Sequence, residues 1–210
     1  MHRPTRRMVF VGVAGTLLSL VTPAASTFRT GAGALTARAR VDFRIVVPKI
    51  LYLRVGTGSA YPTALSNVGT VNLVAFSPSA ATVGNGTAVG GSGGDLTGGV
   101  QTAAIISNSG NVTLNATATG ALGNGVGDSI PYAQISTAAS ALTVGYTLLP
   151  APALNNGTSA NVVLTAPATK VIRADARWAF SYLNSTMPAS GSYGGVNLNN
   201  GRVLYTATMP

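Results

Sequence analysis

The sequence predicts an all-β protein, an antiparallel Ig-like β-sandwich of about nine short strands joined by Gly-rich loops. Three observations carry that expectation. Apolar and polar residues alternate with a period of two in several stretches. No stretch after the N-terminal region sustains a helical period. The stretches are separated by Gly, Asn and Pro, with 26 glycines and 11 prolines in 210 residues, which are turn-forming residues.

The first alternating stretch is residues 35–47. Its odd positions are Leu35, Ala37, Ala39, Val41, Phe43, Ile45 and Val47, and its even positions include Arg38, Arg40, Asp42 and Arg44. Pro48 interrupts the pattern and residues 50–55 resume it, so Pro48 reads as an edge, a bulge or a bend. Residues 71–76 form the next expected strand, followed by a Gly/Ser/Ala-rich loop over 77–99. Residues 100–106 and 112–119 flank a turn at Asn108-Ser109-Gly110-Asn111. In the second of these, Val112, Leu114, Ala116 and Ala118 alternate with Thr113, Asn115, Thr117 and Thr119. A further Gly-rich loop covers 120–127, and short strands are expected at 130–135, 142–149 and 162–165.

The clearest strand is 172–182. Its even positions end in Trp178, Phe180 and Tyr182, and its odd positions include Arg173, Asp175 and Arg177. The aromatic face is expected in the core, in preference to an exposed platform for sugar rings. Asn199-Asn200-Gly201 signals a hairpin into a final strand at 202–208.

The N-terminus reads as an export signal over residues 1–26. Arg3, Arg6 and Arg7 form a basic region, residues 9–21 are apolar, and Thr22-Pro23-Ala24-Ala25-Ser26 supplies small residues for cleavage. An uncleaved anchor is the competing reading, disfavoured by the shortness of the apolar run. The paired arginines are read as ordinary positive charge on a general secretory signal. Residues 27–210 are then one β-sandwich domain with an N-terminal extended segment, placed in the periplasm, at the cell surface or outside the cell. No transmembrane segment is expected after cleavage. With 0 cysteines, stability must come from packing and sheet hydrogen bonds. The Asn-X-Thr triplets are read as products of an Asn/Thr/Gly-rich composition.

Composition also bears on chemistry. The chain has no Glu, and its 1 His is His2, inside the signal. General bases, thiolates and metal-ligand clusters are therefore nearly absent, which argues against an enzyme and against a metal or other cofactor. Asp95 and Asp128 form a conceivable carboxylate pair for glycoside hydrolysis. Both lie in Gly-rich turns, where Asp ordinarily serves turn hydrogen bonding. Gly90-Gly91-Ser92-Gly93-Gly94-Asp95 matches the start of a calcium-binding nonapeptide but does not repeat, so a flexible loop is the better reading.

Without Arg3, Arg6 and Arg7 the formal charge falls from +9 to +6. The cations lie at alternate strand positions, without the dense aromatic-interleaved stripe of a nucleic-acid binder. They read as a solvated sheet face. An electropositive face touching an anionic surface polymer is the functional alternative. Tyr193, in Ser190-Gly191-Ser192-Tyr193-Gly194-Gly195, is the candidate loop contact.

A strand over 35–47 would run about 43 Å at about 3.3 Å per residue, longer than a usual sandwich strand. Either it bends into its own sheets, or its first part completes the sheet of a neighbour by strand addition. The candidate assembly strand is Leu35, Ala37, Ala39, Val41 and Phe43. Together with the small-residue composition and the final strand (Val203, Tyr205, Ala207), this segment resembles the subunits of bacterial chaperone–usher fimbriae. That resemblance implies a structural or adhesive surface protein with like subunits as partners. It differs from many such subunits in lacking a disulfide and in ending Thr208-Met209-Pro210. Trp178-Ala179-Phe180 is fainter in its similarity to the WxL surface domain, with Phe in place of Leu. The alternative expectation is a monomeric module that binds surface polysaccharide.

Overall fold

The computed structural model describes residues 26–58 and 65–210, so the expected signal lies outside the described residues except for Ser26. The chain divides into two units, Met1–Val47 and Pro48–Pro210.

The described part of the first unit, 26–47, contains no strand or helix and is exposed nearly throughout. The strand expected over 35–47 is therefore not a member of any sheet among the described residues. Alternation makes a segment able to pair on one face, but only a partner edge makes it a strand.

The second unit is all-β and sandwich-like. Its larger sheet contains β1 (Leu51–Val55), β3 (Val89–Gly90), β5 (Val100–Ser107), β9 (Ile135–Ser140), β10 (Thr147–Leu148) and β12 (Ile172–Tyr182). The order is β1-β5-β12-β10, with β3 and β9 also on β12. β10 pairs with β12 in parallel; the other pairings in this sheet are antiparallel. The smaller sheet is β11 (Val162–Leu164), β6 (Val112–Ala118) and β13 (Val203–Thr208), in that order and antiparallel. Two short pairs complete the structure. β2 (Val74–Ala75) pairs with β4 (Ser92–Gly93), and β7 (Leu122–Gly123) pairs with β8 (Ser129–Ile130).

The core lies between the larger and smaller sheets. One contributes Ala103, Ile105, Ile172, Ala174, Ala176, Trp178 and Phe180; the other contributes Val112, Leu114 and Leu164. Trp178 is fully buried, its Nε1–H donates to the Leu149 carbonyl at 2.9 Å, and its ring packs on Tyr205. Phe180 and Tyr182 are also buried.

Several expected strands are shorter in the structure. Residues 71–76 reduce to β2 and 142–149 to β10. Residues 130–135 split at Pro131, which lacks an N–H and precedes a single 3₁₀ turn at Tyr132–Gln134. Residues 136–141 carry no strand signal, yet β9 runs through Ile135–Ser140. Its Ala and Ser residues give little apolar contrast, and its position is set by the ladder with β12 from Arg177↔Ser140 to Tyr182↔Ile135.

Asn184, in one of the Asn-X-Thr triplets, is a structural anchor that no local pattern marks. It is completely buried, at φ 55. Its side-chain oxygen accepts from Gly84 N–H at 2.7 Å, and its Nδ2 donates to Thr82 O at 2.8 Å and Thr87 O at 3.2 Å. One amide thus holds the 82–87 loop, which has no core of its own. Asn184→Ala is expected to destabilise the fold by about 1–3 kcal/mol, because partners are left unsatisfied. Urea unfolding monitored at Trp178 measures it.

A second buried polar anchor sets an alkaline limit. The Tyr132 hydroxyl donates to Asn200 O at 2.6 Å, and burial raises its pKa from 10.0 to about 12. Burial raises Tyr205 as well. In the unfolded chain these phenols ionise near 10, while in the fold they stay neutral to higher pH. Their stabilisation is therefore complete below pH 10 and is lost as pH rises toward 12. Tyr132→Phe should flatten the fall of stability between pH 10 and 12, measured by denaturation at stepped pH.

Candidate functional site

Residues 35–47 are the feature with the plainest capacity to act outside the fold. The apolar row is open to solvent: Phe43 is 90% and Ile45 87% exposed, with Leu35, Val41 and Val47 also exposed. Ala37 and Ala39 are exposed too, as are Arg38, Arg40, Asp42 and Arg44 on the alternate row. Such a segment has an apolar face and a row of backbone donors and acceptors that have no partners among the described residues, which makes it a template for pairing with a sheet edge. Pro48 ends it, and Lys49 and Ile50 lead into β1. Lys49 Nζ donates to the carbonyl of Pro210, and Ile50 N–H donates to Asn108 Oδ1 at 2.8 Å. The start of the second unit is thus tied down where the segment leaves it.

Within the second unit, the smaller sheet ends on β11 and β13 among the described residues. Among the described residues β13 pairs only with β6. Its inward residues Val203, Tyr205 and Ala207 are only partly buried, although Tyr205 and Ala207 pack on the core. Across the core, Leu53 and Val55 of β1 are also partly buried. Incomplete burial of inward apolar residues along an unpaired edge is what an added strand would complete.

The other candidates fall out differently. Trp178, Phe180 and Tyr182 lie in the core and offer no exposed aromatic platform. Tyr193 is half-buried, and its hydroxyl donates to Ala189 O at 2.8 Å, so its polar tip serves its own loop. Asp95 binds two backbone donors, Gly58 N–H at 2.6 Å and Thr102 N–H at 2.8 Å. It stitches the glycine-rich loop to β5 and to the turn after β1. Gly94 and Gly99 sit at φ 86 and 73, with backbone so close that a Cβ would stand 2.3 Å from Val100 O and 2.5 Å from Gly91 Cα respectively. The glycine run is thus explained by tight backbone packing. Asp128 accepts from Asn124 Nδ2 at 2.8 Å within one exposed turn. Among the described residues there is no group of three or more potential acidic, His or Cys metal ligands.

The cations do not form one solvated face. Lys170, Arg173, Arg177 and Arg202 are exposed, as are the arginines of 38–44, but Arg54 is only 6% exposed. That departs from the uniform solvated row expected from sequence. Arg54 lies in one cross-strand row with Ala104 and the buried Asp175, on the face of the larger sheet opposite the core. Ser66, Asn67, Val68 and Thr70 line the same cavity as residues 51–57, Arg54 among them, a proximity that alternation does not show. No helix among the described residues is long and apolar enough to cross a membrane. Comparison of the chain with family models, with curated proteins and with solved structures gives no match.

Proposed function

We propose that this protein is an exported bacterial surface subunit with a structural or adhesive role, assembling through its own N-terminal segment. In this reading residues 35–47 of one copy add as a strand to the β13 edge of the next. The observation that supports it is a single one: an amphipathic alternating segment whose apolar row is exposed while no strand pairing among the described residues includes it. Backbone hydrogen bonds to the edge supply affinity, and Val41, Phe43, Ile45 and Val47 supply the side chains that cover the half-buried inward residues of β13. The expected signal and the similarity to fimbrial subunits agree with this role. Signal cleavage near Ser26 would leave the segment close to the new N-terminus.

Light scattering coupled to size-exclusion chromatography of the chain lacking residues 1–26 tests the reading. Species larger than a monomer, growing with concentration, are expected. A strict monomer at high concentration contradicts it. The second reading is a monomeric module that contacts an anionic surface polysaccharide. In its favour, exposed arginines and lysines far outnumber exposed aspartates, since Asp95 and Asp175 are engaged within the fold. Binding of such a polymer by a persistent monomer would favour it.

A further inference from the structure

The outer face of the smaller sheet is polar and uncharged. Cross-strand register puts Thr113 between Val163 and Thr208, and sets Asn115 beside Thr206. Their neighbours in sequence, Leu114, Tyr205 and Ala207, belong to the core side, so these residues turn outward. Thr206 and Thr208 are exposed, and Thr113 and Asn115 are half-buried. The strands β6, β11 and β13 contain no charged residue. Arg202, just before β13 and in the same alternation as Thr206, is exposed.

The segment read above as the donated strand carries its charge on the row that adjoins this face. With Val41, Phe43, Ile45 and Val47 turned inward over β13, the alternate residues Arg38, Arg40, Asp42 and Arg44 turn outward. They then stand about 4.8 Å from the β13 row and about 6.7 Å from one another along the strand. No pairing among the described residues includes this segment, so addition to β13 is what fixes its arginines at that spacing beside Thr206 and Thr208.

The composition of the completed face defines a ligand. A guanidinium meets a carboxylate through parallel hydrogen bonds. Thr hydroxyls and Asn amides both donate and accept, as the hydroxyls of a sugar require. A polymer of sugar acids offers carboxylates and hydroxyls in regular succession. A nucleic-acid surface interleaves its cations with aromatics, and the three strands turn no aromatic outward. Charge also couples the two events. Adding the segment gathers three arginines on the face that carries Arg202, and like charges oppose the pairing. A polyanion removes that repulsion, so it favours the assembled state, and by linkage assembly raises the affinity for the polymer.

Resting on the assembly reading above, we propose that the assembled protein binds a polyuronate across the outer face of its completed smaller sheet, and that this binding promotes assembly.

Biolayer interferometry of the protein isolated from cells, on immobilised polygalacturonate, dextran and polyglutamate, tests the proposal beside light scattering of the same samples. Polygalacturonate should bind at least about tenfold more tightly than the neutral dextran or the sugar-free polyglutamate. Arg40→Gln with Arg44→Gln should still assemble but bind polygalacturonate about tenfold more weakly. The charge-matched pair Lys170→Gln with Arg173→Gln, on exposed residues away from this face, should bind as the parent does. Ile45→Pro keeps every cation but removes a ladder donor, so it should stay monomeric and also bind about tenfold more weakly. Equal loss in the two double variants, no loss in either, or assembly without polygalacturonate binding overturns the proposal alone. Polyglutamate binding as tightly as polygalacturonate overturns the sugar part. A monomeric Ile45→Pro that binds as tightly as the parent overturns the dependence on assembly. A parent chain that is itself monomeric overturns the assembly reading, and this proposal with it.

Discussion

Replacing Trp178 by alanine is expected to destabilise the sandwich by about 3–5 kcal/mol, the largest effect of any single core change here. The indole is fully buried at the centre of β12, which pairs with β5 on one side and with β9 and β10 on the other. Truncation opens a cavity against Tyr205, whose ring centroid lies 5.4 Å from that of Trp178. It also removes the donor to Leu149 O, a buried carbonyl. A domain of this size typically has about 5–15 kcal/mol of stability in total, so the variant should unfold at much lower urea. Trp178→Phe keeps part of the volume and should cost less, separating packing from the hydrogen bond. A variant Trp178→Ala of wild-type stability would show that the core is not where this structure has it.

The second large effect concerns assembly. Phe43→Asp combined with Ile45→Asp places two charges in the exposed apolar row. Both residues are almost fully exposed, so the fold should be unaffected, with unfolding unchanged within about 0.5 kcal/mol. Assembly should be abolished, because desolvating a carboxylate without a partner outweighs the backbone hydrogen bonds gained. Arg40→Ala, on the alternate row, should leave assembly largely intact. The contrast between the two rows is the signature of strand addition, and light scattering reads it directly. Equal loss in both variants would point to charge attraction.

These effects show how far the sequence could be read. β12 was legible because its even positions face a core and its odd positions carry Arg173 and Arg177 out to solvent. The same period-two signal over 35–47 leaves open whether the segment bends into its own sheet or pairs elsewhere, and no sheet among the described residues includes it. Alternation reports which face is apolar; it does not report whether the covering partner belongs to the same chain. Strand parity places Arg54 away from the core, and parity carries no information about what covers the outer face of a sheet. β9 and Asn184 escaped for related reasons. Small residues give little hydrophobic contrast, and a buried amide that anchors a loop a hundred positions away has no local pattern. The Asp95 carboxylate binds the backbone N–H groups of Gly58 and Thr102, the kind of partner an Asp in a glycine-rich turn takes.

The most direct measurement of strand donation is amide hydrogen exchange over residues 35–50, followed by mass spectrometry at low and high protein concentration. Unpaired exposed amides exchange quickly, and amides in a ladder are protected. If these residues add to the β13 edge of a neighbour, the amides of 41–47 become protected as concentration rises, in step with those of 203–208 on the receiving edge. If 41–47 exchange at the unprotected rate at every concentration while larger species form, assembly uses another surface and the account of this segment is wrong.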